Sequence, residues 1–524
     1  MRRGRVVWLA GGTARHTAAM MHRLSPALLA SSFVLVVAGC GGDDGGDPTG
    51  MTATAPGTAT TDGAATTASE PTGTGADETS GVSAPQPTSD PTDATSTTTT
   101  TDPTAGTDTS DDTTGGAQGC VPDLPTFADG KSPGATLYVQ AGAAPGGDGS
   151  RAKPFDALDP ALKAAAPGTE VRVAGAVAGA YTIGLKGTAD APIWIRGEPG
   201  AKIGPLTLQE ASHVIVEDLE LAGSPEGHVL HFFFADHIMM RRLAIHDAGL
   251  GCIKGSQTTH AYVEDSDLWD AGKKSGHPVI DFVGVNTGHI VRSQFHQGPG
   301  VMIMLKGGTS DMLFAWNEVY GQTAPGNALA IGQSTGPQFF QPIDAKFEGL
   351  RIVAFANVLH DLVGAPIAFE GCKDCAAVRN TVWNCTGGQL LRFLPGAAGE
   401  QSGATVSKPE GCRATGNILV GGLESGASLN ADAENVGPGN VVDYNVFLKP
   451  GGLNWWGVIP QDMMYSTYDQ DPQLSAEGVP GNVPLVDGKG PPDLAGLPFS
   501  GAFVRDFAGA CITAPGDIGA FEVP

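Results

Sequence analysis

Asparagine recurs along this chain in one setting. Asn317, Asn357, Asn380, Asn417 and Asn445 each stand just before a short apolar pair, as in Asn-Thr-Val and Asn-Ile-Leu, and Asp218, Arg242, Asp265 and Ser293 hold the same place upstream. The intervals run 24, 23, 28, 24, 40, 23, 37 and 28 residues, a base period of 23 to 24 lengthened by insertions. Such a period marks a solenoid, whose repeats bury a core only by stacking on one another. The segments between turns, such as Val214 to Leu219 and Val378 to Val382, are β-branched and show no helical period. Each repeat is therefore a coil of short strands. With coils roughly 4.8 Å apart, one position recurs in a column along the axis, where asparagine amides can hydrogen-bond to each other and to turn backbone.

Composition agrees with a long β body. The chain has 76 glycines and only 16% charged residues, which suits close-turning coils better than a helical bundle. Its formal charge of -25 disfavours nucleic acid and anionic membrane surfaces as partners.

Residues 1–40 read as an export signal. Basic residues up to Arg23 precede the apolar run Leu24 to Ala38, which ends in Val37-Ala38-Gly39-Cys40. The run is short for a spanning helix. It resembles a bacterial lipobox, which implies a diacylglyceryl thioether on Cys40, a membrane tether through that lipid, and a place in the cell envelope on its periplasmic or outer surface. Residues 41–119 are almost wholly Thr, Ser, Gly, Ala, Pro and Asp. Such a segment buries too little apolar area to offset chain entropy and reads as a disordered, acidic linker.

The folded part is assigned to residues 120–524. Phe155, Leu158, Leu162 and Ala165 predict one short amphipathic helix ahead of Pro167-Gly168, placed to cover the open edge of the first coil. Tyr138-Val139, Gly147-Asp148-Gly149, Lys153-Pro154-Phe155, Pro167-Gly168-Thr169 and Ala191-Pro192-Ile193-Trp194-Ile195 together resemble the opening of secreted right-handed parallel β-helix proteins of the pectate-lyase-like superfamily. The tail Asp517 to Glu522 resembles the closing strand of surface-anchored members. The resemblance implies an all-β, right-handed parallel β-helix of about nine or more coils.

Seven cysteines follow Cys40. Cys375 stands five residues before Asn380 and Cys412 five before Asn417, so the register sets them one above the other within disulfide reach. Cys372 with Cys385 and Cys120 with Cys511 are the other pairings considered. Cys252 reads as a buried small apolar residue.

Counting back about eleven to twelve residues from successive ladder positions reaches His231, Lys254, Asp281 and Lys306, with Glu370 and Arg392 near the same face farther on. Their apolar neighbours alternate inward, so these side chains point outward. A Lys, Asp, Lys stack serves either as a charge ladder on a sheet surface or as chemistry. In lyases of the resembled kind, a base removes the proton α to a carboxylate while cations stabilise the enolate-like charge. On that reading Lys254 or Lys306 is the base, Asp281 orients it or holds Ca²⁺, and Glu370 and Arg392 bind substrate. Phe339 and Phe340, inside the 40-residue interval, offer rings to a sugar or pack down as a cap. His213, His237 and His260 form a second column. Asn-Thr-Asp and Gly-His-Gly signatures of pectin hydrolases are absent from the coil region. The sequence thus points to a monomeric, lipid-anchored protein that binds, and in one reading cleaves by β-elimination, an acidic polysaccharide. The competing expectations are a non-catalytic adhesin and, lower, a glycoside hydrolase.

Overall fold

The computed structural model describes residues 120–524, apart from 388, 422–428, 432–433, 450–451, 453–454 and 458–464. Cys40, the signal segment and the linker lie outside the described residues, as do the side chains of Trp455 and Trp456.

Parallel strands coil through about eleven turns. They stack into a 23-stranded sheet and a 12-stranded sheet, and every pairing between named strands is parallel. The larger sheet supplies two faces, which the 12-residue strands Ile253–Glu264 and Ile280–Val291 run through without a break. The first face includes Leu230–Phe233, Ile303–Lys306, Asn327–Gly332, Ala365–Glu370 and Leu391–Leu394. The second includes Ser212–Glu217, Asp236–Arg241, Thr309–Ala315 and Val353–Phe355. The third is the smaller sheet, with Ala244–Ala248, Asp267–Trp269 and Thr381–Cys385 among its members. The inward side chains form one continuous apolar core, in which Phe232 meets Phe282 and Phe369 meets Phe393.

The ladder turns each coil from the second face to the third. Asn317 N and Asn357 N donate to the next rung's Oδ1 at 2.9 and 3.0 Å, and Asn380 N and Asn417 N both do so at 2.9 Å. Each of these Nδ2 groups also donates to the next rung's Oδ1 and to a backbone carbonyl. All four side chains are fully buried, so the column satisfies backbone donors that a turn inside the core would strand. Upstream the register is one residue later than spacing alone implies. Ser293 accepts from Ser266 N, and Ser266 accepts from Leu243 N, so the true rungs are Leu243, Ser266 and Ser293. Asp218, Arg242 and Asp265 stand one place earlier at φ 58, 53 and 48°, the left-handed position that opens the turn. Their side chains face solvent and pair along the column, Arg242 with Asp218 at 2.6 Å and Arg292 with Asp265 at 2.9 Å.

The predicted helix spans Leu158–Ala164 and buries Leu158, Ala161 and Leu162 against Val139, Val171 and Val173, closing the first coil. No helix among the described residues is long and apolar enough to cross a membrane. The tail departs from expectation. Residues 517–522 form no strand and lie across the coils, with Gly519 N on Gly416 O and Ala520 N on Thr381 Oγ1. Arg379, buried in the left-handed column, pairs with Glu522 and holds this segment down. Cys120 is disulfide-bonded to Cys511, joining the segments that pack outside the second face. Cys375 does oppose Cys412, since Ala376 aligns with Arg413, but both remain thiols and the pairing expected from spacing is not formed. The Cys412 Sγ lies 3.4 Å from that of Cys372 instead, because Cys372 turns inward at the same level.

Candidate functional site

The outward side of the first face carries the charges expected there. His231, Lys254 and Asp281 align on three successive coils. Lys306 aligns with Val283, two residues beyond Asp281 and therefore on the same side. Gly332 aligns with Glu370, and Arg392 lies opposite Ala368, two residues before Glu370 on the next coil. The five charged residues picked out by spacing share one surface.

They divide into two groups. Lys254 Nζ lies 2.5 Å from Asp281 Oδ2, and both side chains are buried. Burial opposes ionisation of Asp281, but Lys254 and Lys306 outweigh it and hold the carboxyl below its usual range. His228 and His231 flank this pair. Burial first, then His231 and Lys254 for His228 and Lys254 for His231, pushes their imidazoles down to about 3 and about 4, so both are neutral near pH 7.

The second group surrounds Glu370. Burial, reinforced by Glu348, outweighs Arg392 and Lys306 and raises its carboxyl to about 7. Asn327 bridges the group, donating from Nδ2 to Glu370 Oε1 and accepting at Oδ1 from Arg392 Nη1 at 2.7 Å. The Lys306 ammonium has no hydrogen-bond partner among the described residues, and the buried Nε of Arg392 is likewise unpaired. This half of the face thus offers two incompletely used cations beside a carboxyl poised to gain or lose a proton near neutrality.

Sequence reasoning missed the supports. Glu348, fully buried, accepts from Gly307 N at 2.8 Å, Thr335 N at 2.7 Å, Thr335 Oγ1 at 2.6 Å and Ala397 N at 3.0 Å. It pins two loops, through Thr335 and Ala397, to the turn that follows Lys306. Asn327 and Glu348 both fall in the 40-residue interval, where the repeat no longer provides a count. Phe340 is buried at 1% exposure and offers no face to a ligand, while Phe339 is half-buried in the turn Pro337–Phe339. The rings at the surface are elsewhere. Phe233 lies 4.9 Å from His231 and 5.7 Å from Phe234, which is 60% exposed.

The Ca²⁺ expectation does not fit these residues. Calcium takes six to eight oxygen ligands, whereas Asp281 is already engaged by an ammonium and Glu370 lies three coils away, roughly 14 Å at the stacking distance.

No protein-family model and no curated protein matches the chain. Among solved structures, it is similar to pectate lyase Pel9A, with 12% identity and a TM-score of 0.48 over 75% of this chain and 98% of that one. It is also similar to an alginate lyase from Paenibacillus sp. str. FPU-7, with 17% identity and a TM-score of 0.39 over 57% and 99% of the two chains. A lacto-N-biosidase from Eubacterium ramulus matches with 13% identity and a TM-score of 0.36 over 64% and 67%.

Proposed function

We propose that this protein binds an acidic polysaccharide along the first face and cleaves it by β-elimination, held outside the cytoplasm by a lipid on Cys40. The observation that carries the reading is Glu370, a buried carboxyl raised to about 7 between Lys306 and Arg392. Proton transfer is most efficient when the transferring group titrates near the working pH. A uronate carboxylate placed against the Lys306 ammonium and the Arg392 guanidinium has its charge neutralised, which acidifies the adjacent carbon-bound proton.

Ionised Glu370 takes that proton. The electron pair passes into the carboxylate system and then forms a carbon–carbon double bond as the neighbouring carbon–oxygen bond breaks. The carboxyl returns its proton to the departing oxygen. Lys254 and Asp281 neutralise each other and position the face, so the base role considered for Lys254 passes to Glu370. Phe233 and Phe234 supply a ring surface at one end for a sugar remote from the reacting bond. The hydrolase alternative loses its acid/base pair. Asp281 and Glu370 stand three coils, or more than ~14 Å, apart, beyond the ~6.5–9.5 Å of an inverting pair.

The test is the purified chain incubated with pectate, alginate and glycosaminoglycans, with and without Ca²⁺, while the ultraviolet absorbance of unsaturated uronate is followed. Product is expected on at least one substrate, reduced about 10²-fold or more by Glu370→Gln. No product and no binding on any of them overturns the proposal. Binding without product leaves the adhesin.

A further inference from the structure

A second cluster lies on the turn between the first and second faces, away from the charged row. His213, His237 and His260 occupy one position of three successive coils, at φ 50, 56 and 55°. Their rings stack at 4.3 and 4.0 Å with interplanar angles of 8 and 7°. Asp236 stands beside them, its Oδ2 2.8 Å from His237 Nδ1 and its Oδ1 3.6 Å from His260 Nδ1. Both lie within ion-pair distance, and neither has the angles of a hydrogen bond. Both Nδ1 atoms are buried and have no hydrogen-bond partner among the described residues.

Buried ring nitrogens close to a carboxylate, with no proton directed between them, require an explanation. Donors about 2.0–2.1 Å from a common ion lie near 3 Å from one another, which is the His237–Asp236 separation. Donor atoms of His213, Asp236 and His237 all fall within 4.8 Å of one another. We propose that this cluster binds one borderline divalent transition-metal ion of the Zn²⁺ class, through Asp236, His237 and His213, with His260 next in the column.

Two imidazoles and a carboxylate are the donor set such ions take. Neighbouring groups already hold the donors. Thr259 Oγ1 donates to Asp236 Oδ1, and Ser212 Oγ lies 2.9 Å from His213 Nδ1, a contact the ion would displace. Phe127 packs edge-on against His213 and His237 at 5.4 and 5.5 Å and keeps water from one side. The site owes nothing to the polysaccharide reading and stands or falls separately.

The experiment is calorimetric titration of the full chain, stripped with EDTA, with Zn²⁺, accompanied by the ligand-field spectrum of Co²⁺ bound in its place. One equivalent is expected to bind, weakened at least ~10-fold in Asp236→Asn and in His237→Gln and unchanged in His360→Gln, which alters the third face. The Co²⁺ band of the native chain should report mixed nitrogen and oxygen coordination, a readout independent of how well the variants fold. Binding below one equivalent, or binding retained in both site variants, overturns the proposal.

Discussion

Asn357→Ala tests whether the ladder is structural. The side chain of Asn357 accepts from Asn317 N at 2.9 Å and Asn317 Nδ2 at 3.2 Å, and it donates to Phe314 O at 2.8 Å and Asn380 Oδ1 at 2.9 Å. Asn317 Nδ2 keeps its bond to Ile290 O, and Asn380 Oδ1 keeps the bond from Asn357 N. The truncation therefore strands the Asn317 N–H and removes a donor from the Phe314 carbonyl, both inside the core. At about 1–3 kcal/mol for each buried group left unsatisfied, the cost is about 2–6 kcal/mol. Asp265→Ala is the matched comparison, one residue off the rung register and on an exposed ion pair, worth about 1 kcal/mol or less. A solenoid does not guarantee two-state unfolding, so native-state hydrogen exchange at the Asn317 amide is measured beside the urea midpoint. If Asn357→Ala shifts neither more than Asp265→Ala does, the ladder's amides are not what hold the turn.

Lys254→Met strands the Asp281 carboxylate, 3% exposed, and should cost about 3–5 kcal/mol in urea unfolding, much of it recovered by adding Asp281→Leu. The raised carboxyl of Glu370 binds a proton more tightly folded than unfolded, so its destabilising contribution is absent below about pH 4.5 and grows to roughly 3 kcal/mol by pH 7 and above. Glu370→Gln should therefore stabilise the protein at pH 8 and not at pH 4, and equal effects at both would refute the shift. Glu348→Gln removes a negative neighbour and should move the acidic limb of the pH–rate profile of Glu370 to lower pH. Alkylation of the denatured, unreduced chain should label Cys252, Cys372, Cys375, Cys385 and Cys412 and spare Cys120 and Cys511.

Periodicity made the architecture legible because stacking converts a repeat of about 23 residues into a spatial column. The same arithmetic brought Lys254, Asp281, Lys306, Glu370 and Arg392 onto one surface. It failed by one residue at Asp218, Arg242 and Asp265, because the outward position of the turn carries the polar residue there, while the rung beside it is leucine at 219 and 243 and serine at 266. One points inward as a rung and the other bends out at positive φ. Only the hydrogen bonds of Ser266 and Ser293 separate them. Cys375 was placed correctly over Cys412, yet backbone alignment does not say which way a sulfur turns, and Cys372 competes for the same space. Phe340 was read from its place in the long insertion, which leaves open whether a ring walls a groove or packs down, and the structure buries it.

The interruption of the repeat and the chemistry of the first face are one feature. Between Asn317 and Asn357 the chain departs from its period to deliver Asn327 and Glu348, the latter held by Thr335, and both contact residues outside that interval: Asn327 with Glu370 and Arg392, Glu348 with Gly307 and Ala397. A regular coil offers a given column nothing but its own neighbours 4.8 Å away or so. Raising a carboxyl to about 7 takes burial from several sides and a second carboxylate nearby, which stacking alone does not supply. The insertion provides both, while the ladder on either side holds the coils in register. Rigid coils therefore carry Lys306, Glu370 and Arg392, and the irregular segment sets the environment in which they act.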